Sequence, residues 1–173
     1  EKRTALLEFI RDSFPEITTL LYTINTKMND SMLGLVPRTF TGKGFVIERL
    51  EDFEFKIGPT SFFQTNTEQA EKLYRVTREF AELSGKETVY DLYCGTGSIG
   101  IFVSRQAAKI IGVEMVEEAV RDARENAALN QAGHALFFQG DVSAVCTEDF
   151  FQQHGRPDVD GREPERREAH AVH

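Results

Sequence analysis

The sequence predicts an α/β fold in which helices wind around a parallel sheet, preceded by a small β-rich segment. Three observations carry this reading. From residue 68 to residue 141, strand-like apolar runs alternate with helical periodicity at about the spacing of β-α-β units. The first of these runs enters a glycine-rich turn, Asp91-Leu92-Tyr93-Cys94-Gly95-Thr96-Gly97-Ser98-Ile99-Gly100, with G-x-G-x-x-G spacing. Asp91, Glu114 and Asp141 each follow an apolar run, at the strand C-terminal ends where open parallel sheets bind their ligands.

The elements follow in order. Residues Thr4 to Phe14 carry Leu6, Leu7, Ile10 and Phe14 on one helical face, and Pro15 stops the continuation. Ile17 to Asn25 is a β-rich run, and Asn29-Asp30 is a turn signal. Phe45-Val46-Ile47 and the alternating Phe53-Glu54-Phe55-Lys56-Ile57 then complete a small antiparallel sheet punctuated by Gly42, Gly44 and Gly58-Pro59. Thr65-x-x-Glu68 has the form of a capping box. The helix behind it runs from about Glu68 to Ser84, with Ala70, Leu73, Thr77, Phe80 and Ala81 as its apolar stripe and Gly85 as its end. After the strand beginning at Val89 and its glycine turn comes a helix carrying Ile99, Phe102 and Val103. A second strand spans Lys109 to Glu114, and a third helix carries Val116, Ala119, Val120, Ala123 and Ala127. A third strand, Ala135 to Gln139, leads to Gly140-Asp141.

Composition narrows the function classes. The 173 residues hold 28 acidic and 20 basic side chains, a net charge of −8, so charge alone gives no support for nucleic-acid binding. The two cysteines, Cys94 and Cys146, lack C-x-x-C spacing, which argues against a zinc or iron–sulfur knuckle. No apolar run approaches the roughly 20 residues of a membrane span and no signal-peptide pattern is present, so a cytoplasmic setting is expected. The chain begins at Glu1 without an initiator methionine and is expected to be a piece of something longer.

The glycine turn should carry a ligand, because glycine permits positive φ and close approach to the main chain. A dinucleotide would rest its pyrophosphate there, and Asp91 argues against that by like charge. The same carboxylate suits a ligand with an ammonium group, such as S-adenosylmethionine. Glu114 can take the hydroxyls of a ribose, which both ligands contain, so it does not separate them. The plainer alternative is that Asp91 only caps the turn. Gln64, read without further context, is a turn or cap residue, and spacing alone leaves Tyr93 either on a ligand or in the core.

These residues carry a family resemblance. Ser61-Phe62-Phe63-Gln64-Thr65-Asn66, Asp91-Leu92-Tyr93-Cys94-Gly95-Thr96-Gly97, Gly112-Val113-Glu114 and Gly140-Asp141 resemble the RNA (uracil-C5)-methyltransferases, including the bacterial 23S rRNA enzymes. The resemblance runs to about Val159 and implies a Rossmann-like class I S-adenosylmethionine methyltransferase fold. It further implies methyl transfer to C5 of a uridine in RNA and cofactor contacts from Gln64, Tyr93, Ser98, Glu114 and Asp141. Ser98 departs from a commoner asparagine. With the turn's own Asp91, Gly95 and Gly97, these make the expected cofactor-binding set.

The same family adds a cysteine thiolate to C6 of the pyrimidine, well beyond an Asp-Pro-Pro motif after the fourth strand. Here Pro157-Asp158-Val159 passes instead into Asp160-Gly161-Arg162-Glu163-Pro164-Glu165-Arg166-Arg167-Glu168, too charged for a buried central strand. Cys94 reads as a packing residue inside the turn and Cys146 has no base near it in sequence, so no catalytic residue is assigned. The expected organisation is a lead-in subdomain over 1–60, an incomplete Rossmann-like domain over 61–159 and a charged, disordered tail over 160–173. The expected function is RNA uracil-C5 methylation, on rRNA, by a chain catalytically incomplete on its own, with no metal and no membrane. The open alternatives are a methyltransferase acting on protein or a small molecule, a non-catalytic remnant, and an NAD-dependent oxidoreductase or other nucleotide-binding module.

Overall fold

Five strands' worth of β-branched and aromatic residues before residue 93 divide between two small sheets and one parallel sheet. The computed structural model describes residues 1–28 and 34–160, with the side chain of Asp160 excepted. The Asn29-Asp30 turn and residues 161–173 of the expected tail lie outside the described residues, whereas Asp160, expected in that tail, pairs as strand backbone with Tyr90. Two compact units form: residues 1–47 with 56–60, and residues 48–55 with the chain from 61 onward.

In the first unit, helix α1 (Lys2–Ser13) precedes strands β1 (Leu20–Tyr22) and β2 (Arg38–Thr41), which pair antiparallel. Only Leu7 of α1 is buried; Leu6 and Phe14 of the expected apolar face are exposed. Arg3 and Arg11 lie over the rings of Tyr22 and Phe40, so cation–π contacts rather than a continuous apolar stripe tie the helix to these strands. β2 escaped the sequence reading because Arg38-Thr39-Phe40-Thr41 has one large apolar residue and little alternation.

Strands β3 (Val46–Leu50) and β4 (Phe53–Ile57) pair with each other through the turn Glu51-Asp52, giving a second two-stranded sheet rather than the single lead-in sheet expected. Its tip, 48–55, belongs to the second unit. There Leu50, Phe53 and Phe55 are buried, Phe53 lies 5.5 Å from Phe102, and Asn130 brackets the Glu54 backbone by bonding both its N–H and its C=O.

Helix α2 (Thr67–Ala81) is capped by Asn66, whose side chain accepts from the Gln69 N–H. The capping box at Thr65 is therefore corrected: the cap sits one residue later, and Asn meets the need equally well. The helix ends at Ala81 with Glu82 in the left-handed conformation, ahead of Gly85. Its buried side is Ala70 and Tyr74, while Leu73 and Phe80 of the expected stripe are exposed. Tyr74 packs edge-on against Phe102, and Arg78 lies over that same ring, so the inward face is set by one aromatic neighbour.

The remaining strands form one parallel sheet of order β7-β6-β5-β8, made by β5 (Thr88–Leu92), β6 (Lys109–Glu114), β7 (Ala135–Gln139) and β8 (Val159–Asp160). Helix α3 (Ser98–Val103) follows β5, α4 (Glu117–Leu129) follows β6, and the short α5 (Val142–Val145) and α6 (Glu148–His154) follow β7. In α3 the buried residues are Ser98, Gly100, Ile101, Phe102 and Val103, and Ile99, expected inside, is partly exposed. On one face of the sheet, Tyr90, Ile111 and Val113 pack against Phe138, Phe150 and Phe151. The strand order reverses at β5, with β6 and β7 on one side and β8 on the other, and ligands bind in the crevice at the carboxyl end of such a switch point. Asp91 and the glycine turn lie there.

Candidate functional site

The chain leaves β5 through Tyr93 and Gly95, both with positive φ (60° and 53°), and enters α3 through Gly97 at φ 74°. The three glycines of the turn do different work. A Cβ on Gly97 would lie 2.7 Å from the Phe137 ring, and one on Gly100 would lie 2.9 Å from both Asp91 Oδ2 and Ile110. Both are therefore required by packing of the turn and helix onto the sheet. A Cβ on Gly95 would meet nothing within 4 Å, so the main chain there is open to a ligand.

The turn is held from three sides. Asp91 Oδ2 accepts from the Gly100 N–H at 2.8 Å. Glu114, at the end of β6, accepts from the Gly95 N–H at 3.1 Å and from the Val116 N–H at 2.9 Å. The wholly buried Asn126 of α4 donates to the Thr96 carbonyl at 3.3 Å. These bonds satisfy backbone groups that a glycine-rich turn would otherwise leave to solvent.

A cavity of about 270 Å³ opens on this turn. Its walls are Phe62, Phe63 and Gln64 from the segment before α2, Tyr74 and Thr77 from α2, the run Asp91 to Thr96, and Ser98 and Ile99 from α3. Of the residues singled out from sequence, Gln64, Asp91, Tyr93, Gly95 and Ser98 line this one cavity. Gln64 and Tyr93 are exposed at it, so Tyr93 is not a core residue. Gly97, Glu114 and Asp141 are not among its walls: Gly97 faces Phe137, Glu114 braces the turn, and Asp141 caps α5 through the Ser143 N–H and hydroxyl. Glu114 and Asp141 nevertheless stand at the ends of β6 and β7, beside the same edge of the sheet.

The electrostatics are asymmetric. Asp91 is only 8 % exposed, and burial, reinforced by the Glu114 charge and opposed by the Gly100 N–H, pushes its carboxyl up to about 6. Burial, then the charges of Asp91 and Glu114, push the Cys94 thiol far above its usual range. A cation arriving beside Asp91 would relieve the first shift, whereas a phosphate would aggravate it. Thr96 Oγ1 is buried with no hydrogen-bond partner among the described residues, and the Tyr74 hydroxyl bonds Ser98 Oγ at 2.8 Å. An open glycine backbone and a buried acid on one cavity fit a ligand carrying an ammonium group. S-adenosylmethionine has one.

Sequence reasoning missed Tyr74, Thr77, Thr96 and Phe63 as cavity walls. Tyr74 was findable from its i+4 spacing to Ala70, but only the position of Phe102 decides that this stripe faces inward. Among the described residues no group of three or more His, Cys, Asp or Glu could hold a metal ion, and no helix is long and apolar enough to cross a membrane.

Residues 83–159 match a family described as a methyltransferase domain. The chain is 54% identical over 165 residues to a Bacteroides thetaiotaomicron protein named uncharacterized RNA methyltransferase, covering 95% of this chain and 36% of that protein. A Porphyromonas gingivalis protein of the same name is 49% identical over 97% of this chain and 36% of its own length. The chain thus spans about a third of the length of these relatives. Among solved structures it is similar to the Pyrococcus abyssi tRNA (uracil-54, C5)-methyltransferase in complex with S-adenosyl-L-homocysteine. That match has a TM-score of 0.62 and 33% identity, and covers 72% of this chain and 30% of the other. A Methanocaldococcus jannaschii tRNA m1G37 methyltransferase, at 16% identity and TM-score 0.56 over 81% of this chain and 41% of that one, shares the fold alone. None of these relatives carries a dehydrogenase name.

Proposed function

We propose, from the premise that this chain carries a class I methyltransferase domain homologous to proteins named RNA methyltransferase, that it is the cofactor-holding part of an RNA (uracil-C5)-methyltransferase. One observation carries the reading: the Phe62-Phe63-Gln64 segment and the glycine turn, far apart in sequence, wall a single cavity. That pairing is the part of the family resemblance that a general methyltransferase or a dinucleotide-binding domain does not need. Similarity to a tRNA (uracil-54, C5)-methyltransferase supports the same chemistry. The RNA is ribosomal in the motif-based expectation and transfer RNA in the name of that neighbour.

S-adenosylmethionine, when bound, supplies a methyl group on a sulfonium centre. The chain's residues hold it. Asp91 offers a carboxylate to the ammonium end, Gly95 an unobstructed backbone, Gln64 and Ser98 polar side chains, and Tyr93 an exposed ring. Glu114 keeps the turn in place while retaining lone pairs for ribose hydroxyls, and Asp141 stands at the end of β7 for the base.

The chain's two cysteines do not supply the thiolate that pyrimidine C5 chemistry requires. Cys94 is buried and held protonated, and Cys146 packs against the aromatic cluster of Tyr90, Phe150 and Phe151 on the sheet face. These 173 residues therefore bind cofactor without transferring its methyl group. Calorimetric titration with S-adenosylhomocysteine and with NAD tests the first half, and tighter binding of NAD overturns the assignment. Incubation with labelled S-adenosylmethionine and either 23S rRNA or tRNA tests the second, and 5-methyluridine in either product overturns it.

A further inference from the structure

One hydroxyl pair on the cavity wall has no role in holding the turn together. Ser98 Oγ is bonded by Tyr74, which reaches across from α2 and is only 3 % exposed. Ser98 and Tyr74 line the same cavity as Asp91.

The direction of the Tyr74–Ser98 bond decides what Ser98 can offer. A phenol is the stronger hydrogen-bond donor and an aliphatic hydroxyl the stronger acceptor, so the pair is most stable with Tyr74 donating. The negative charge of Asp91 and burial both raise the Tyr74 pKa, which keeps its proton in place. Ser98 then has its own proton free. The wall presents an unused O–H donor on the same cavity as a carboxylate that accepts.

We propose that Tyr74 is a positioning residue that orients the Ser98 hydroxyl to donate to the carboxylate of an α-amino-acid group. Asp91 takes the ammonium of that same group. The site thereby reads both charges of a zwitterion, and the cofactor's amino-acid end rather than its nucleoside end is what Tyr74 senses. This rests on the S-adenosylmethionine reading above, and goes beyond it in assigning Tyr74.

The test compares two ligands on the intact 173-residue chain by calorimetry: S-adenosylhomocysteine, which has the amino-acid end, and 5′-methylthioadenosine, which lacks it. Tyr74→Phe, which keeps the ring against Phe102, is expected to weaken S-adenosylhomocysteine by about three- to tenfold and leave 5′-methylthioadenosine unchanged. In a Ser98→Ala background, Tyr74→Phe should have no further effect, since the hydroxyl it orients is gone. Equal weakening of both ligands, or a Tyr74→Phe effect that persists without the serine hydroxyl, overturns the proposal. Failure of the unmodified chain to bind S-adenosylhomocysteine overturns the cofactor reading itself and this inference with it.

Discussion

Replacing Asp91 by Asn should stabilise the ligand-free protein while impairing its binding site. The carboxyl is raised from 3.8 to about 6, mainly by burial. At 1.36 kcal/mol per unit, that shift corresponds to about 3 kcal/mol of folding free energy withheld when the group is ionised. With the side chain only 8 % exposed, solvent screening does not diminish it much. The sign follows from proton release. The unfolded chain loses this proton near 3.8 and the folded chain near 6, so the contribution is complete below 3.8 and disappears as pH rises through 6. Asn keeps an oxygen to accept the Gly100 N–H and carries no charge to bury. Urea denaturation should therefore find Asp91→Asn and the parent close at pH 4, and the variant more stable by about 1–3 kcal/mol at pH 7.5. Its affinity for S-adenosylhomocysteine at pH 7.5 should fall at least tenfold, because the ammonium loses its counter-charge. A variant that is less stable at pH 7.5, or that binds S-adenosylhomocysteine as well as the parent, would refute this account of the acid.

The glycines separate stability from binding. Gly112→Ala places a Cβ 2.3 Å from the Phe137 ring and should cost about 1–3 kcal/mol in urea denaturation. Gly95→Ala meets no atom, so thermal denaturation should register only the roughly 1 kcal/mol of a left-handed alanine while calorimetry detects lost cofactor binding. Glu51 is held down at about 2 by Arg78 and then Arg75, so its contribution is present above 4.5 and lost as pH falls toward 2. Glu51→Gln should cost about 1 kcal/mol at pH 7, with the difference from the parent closing between pH 4.5 and 2. A disulfide reagent applied to the native protein at pH 8 should label Cys146 before Cys94, and mass spectrometry after a short exposure checks the order.

How much of this was legible depends on whether the signal was local. The strands Lys109–Glu114 and Ala135–Gln139 coincide with their apolar runs: the first is buried on both faces, which writes its limits into its composition, and the second, at the sheet edge, alternates buried with exposed residues. The glycine turn and its preceding acid were equally plain, since positive φ and close packing leave few residues to choose from. Helix faces were less so. The stripe Leu73, Thr77, Phe80 has the same period as Ala70, Tyr74, Arg78, and periodicity cannot choose between two offset stripes when both contain large residues. Thr65 and Asn66 are both good caps one residue apart, and composition does not choose between them.

The linear order of residues was enough to determine a parallel sheet with acids at its strand ends, a ligand-bearing turn among them, and the kinship that Phe62-Phe63-Gln64 and that turn jointly signal. What awaited the tertiary structure was which wall each side chain builds: that Tyr74 reaches Ser98, that the 48–55 hairpin tip sides with the second unit, and that Asp91 serves the turn as well as the cavity. The reason is one of range. Backbone conformation and strand burial follow from neighbours a few residues away, whereas a side chain's partner depends on packing between segments dozens of residues apart, which no local pattern encodes.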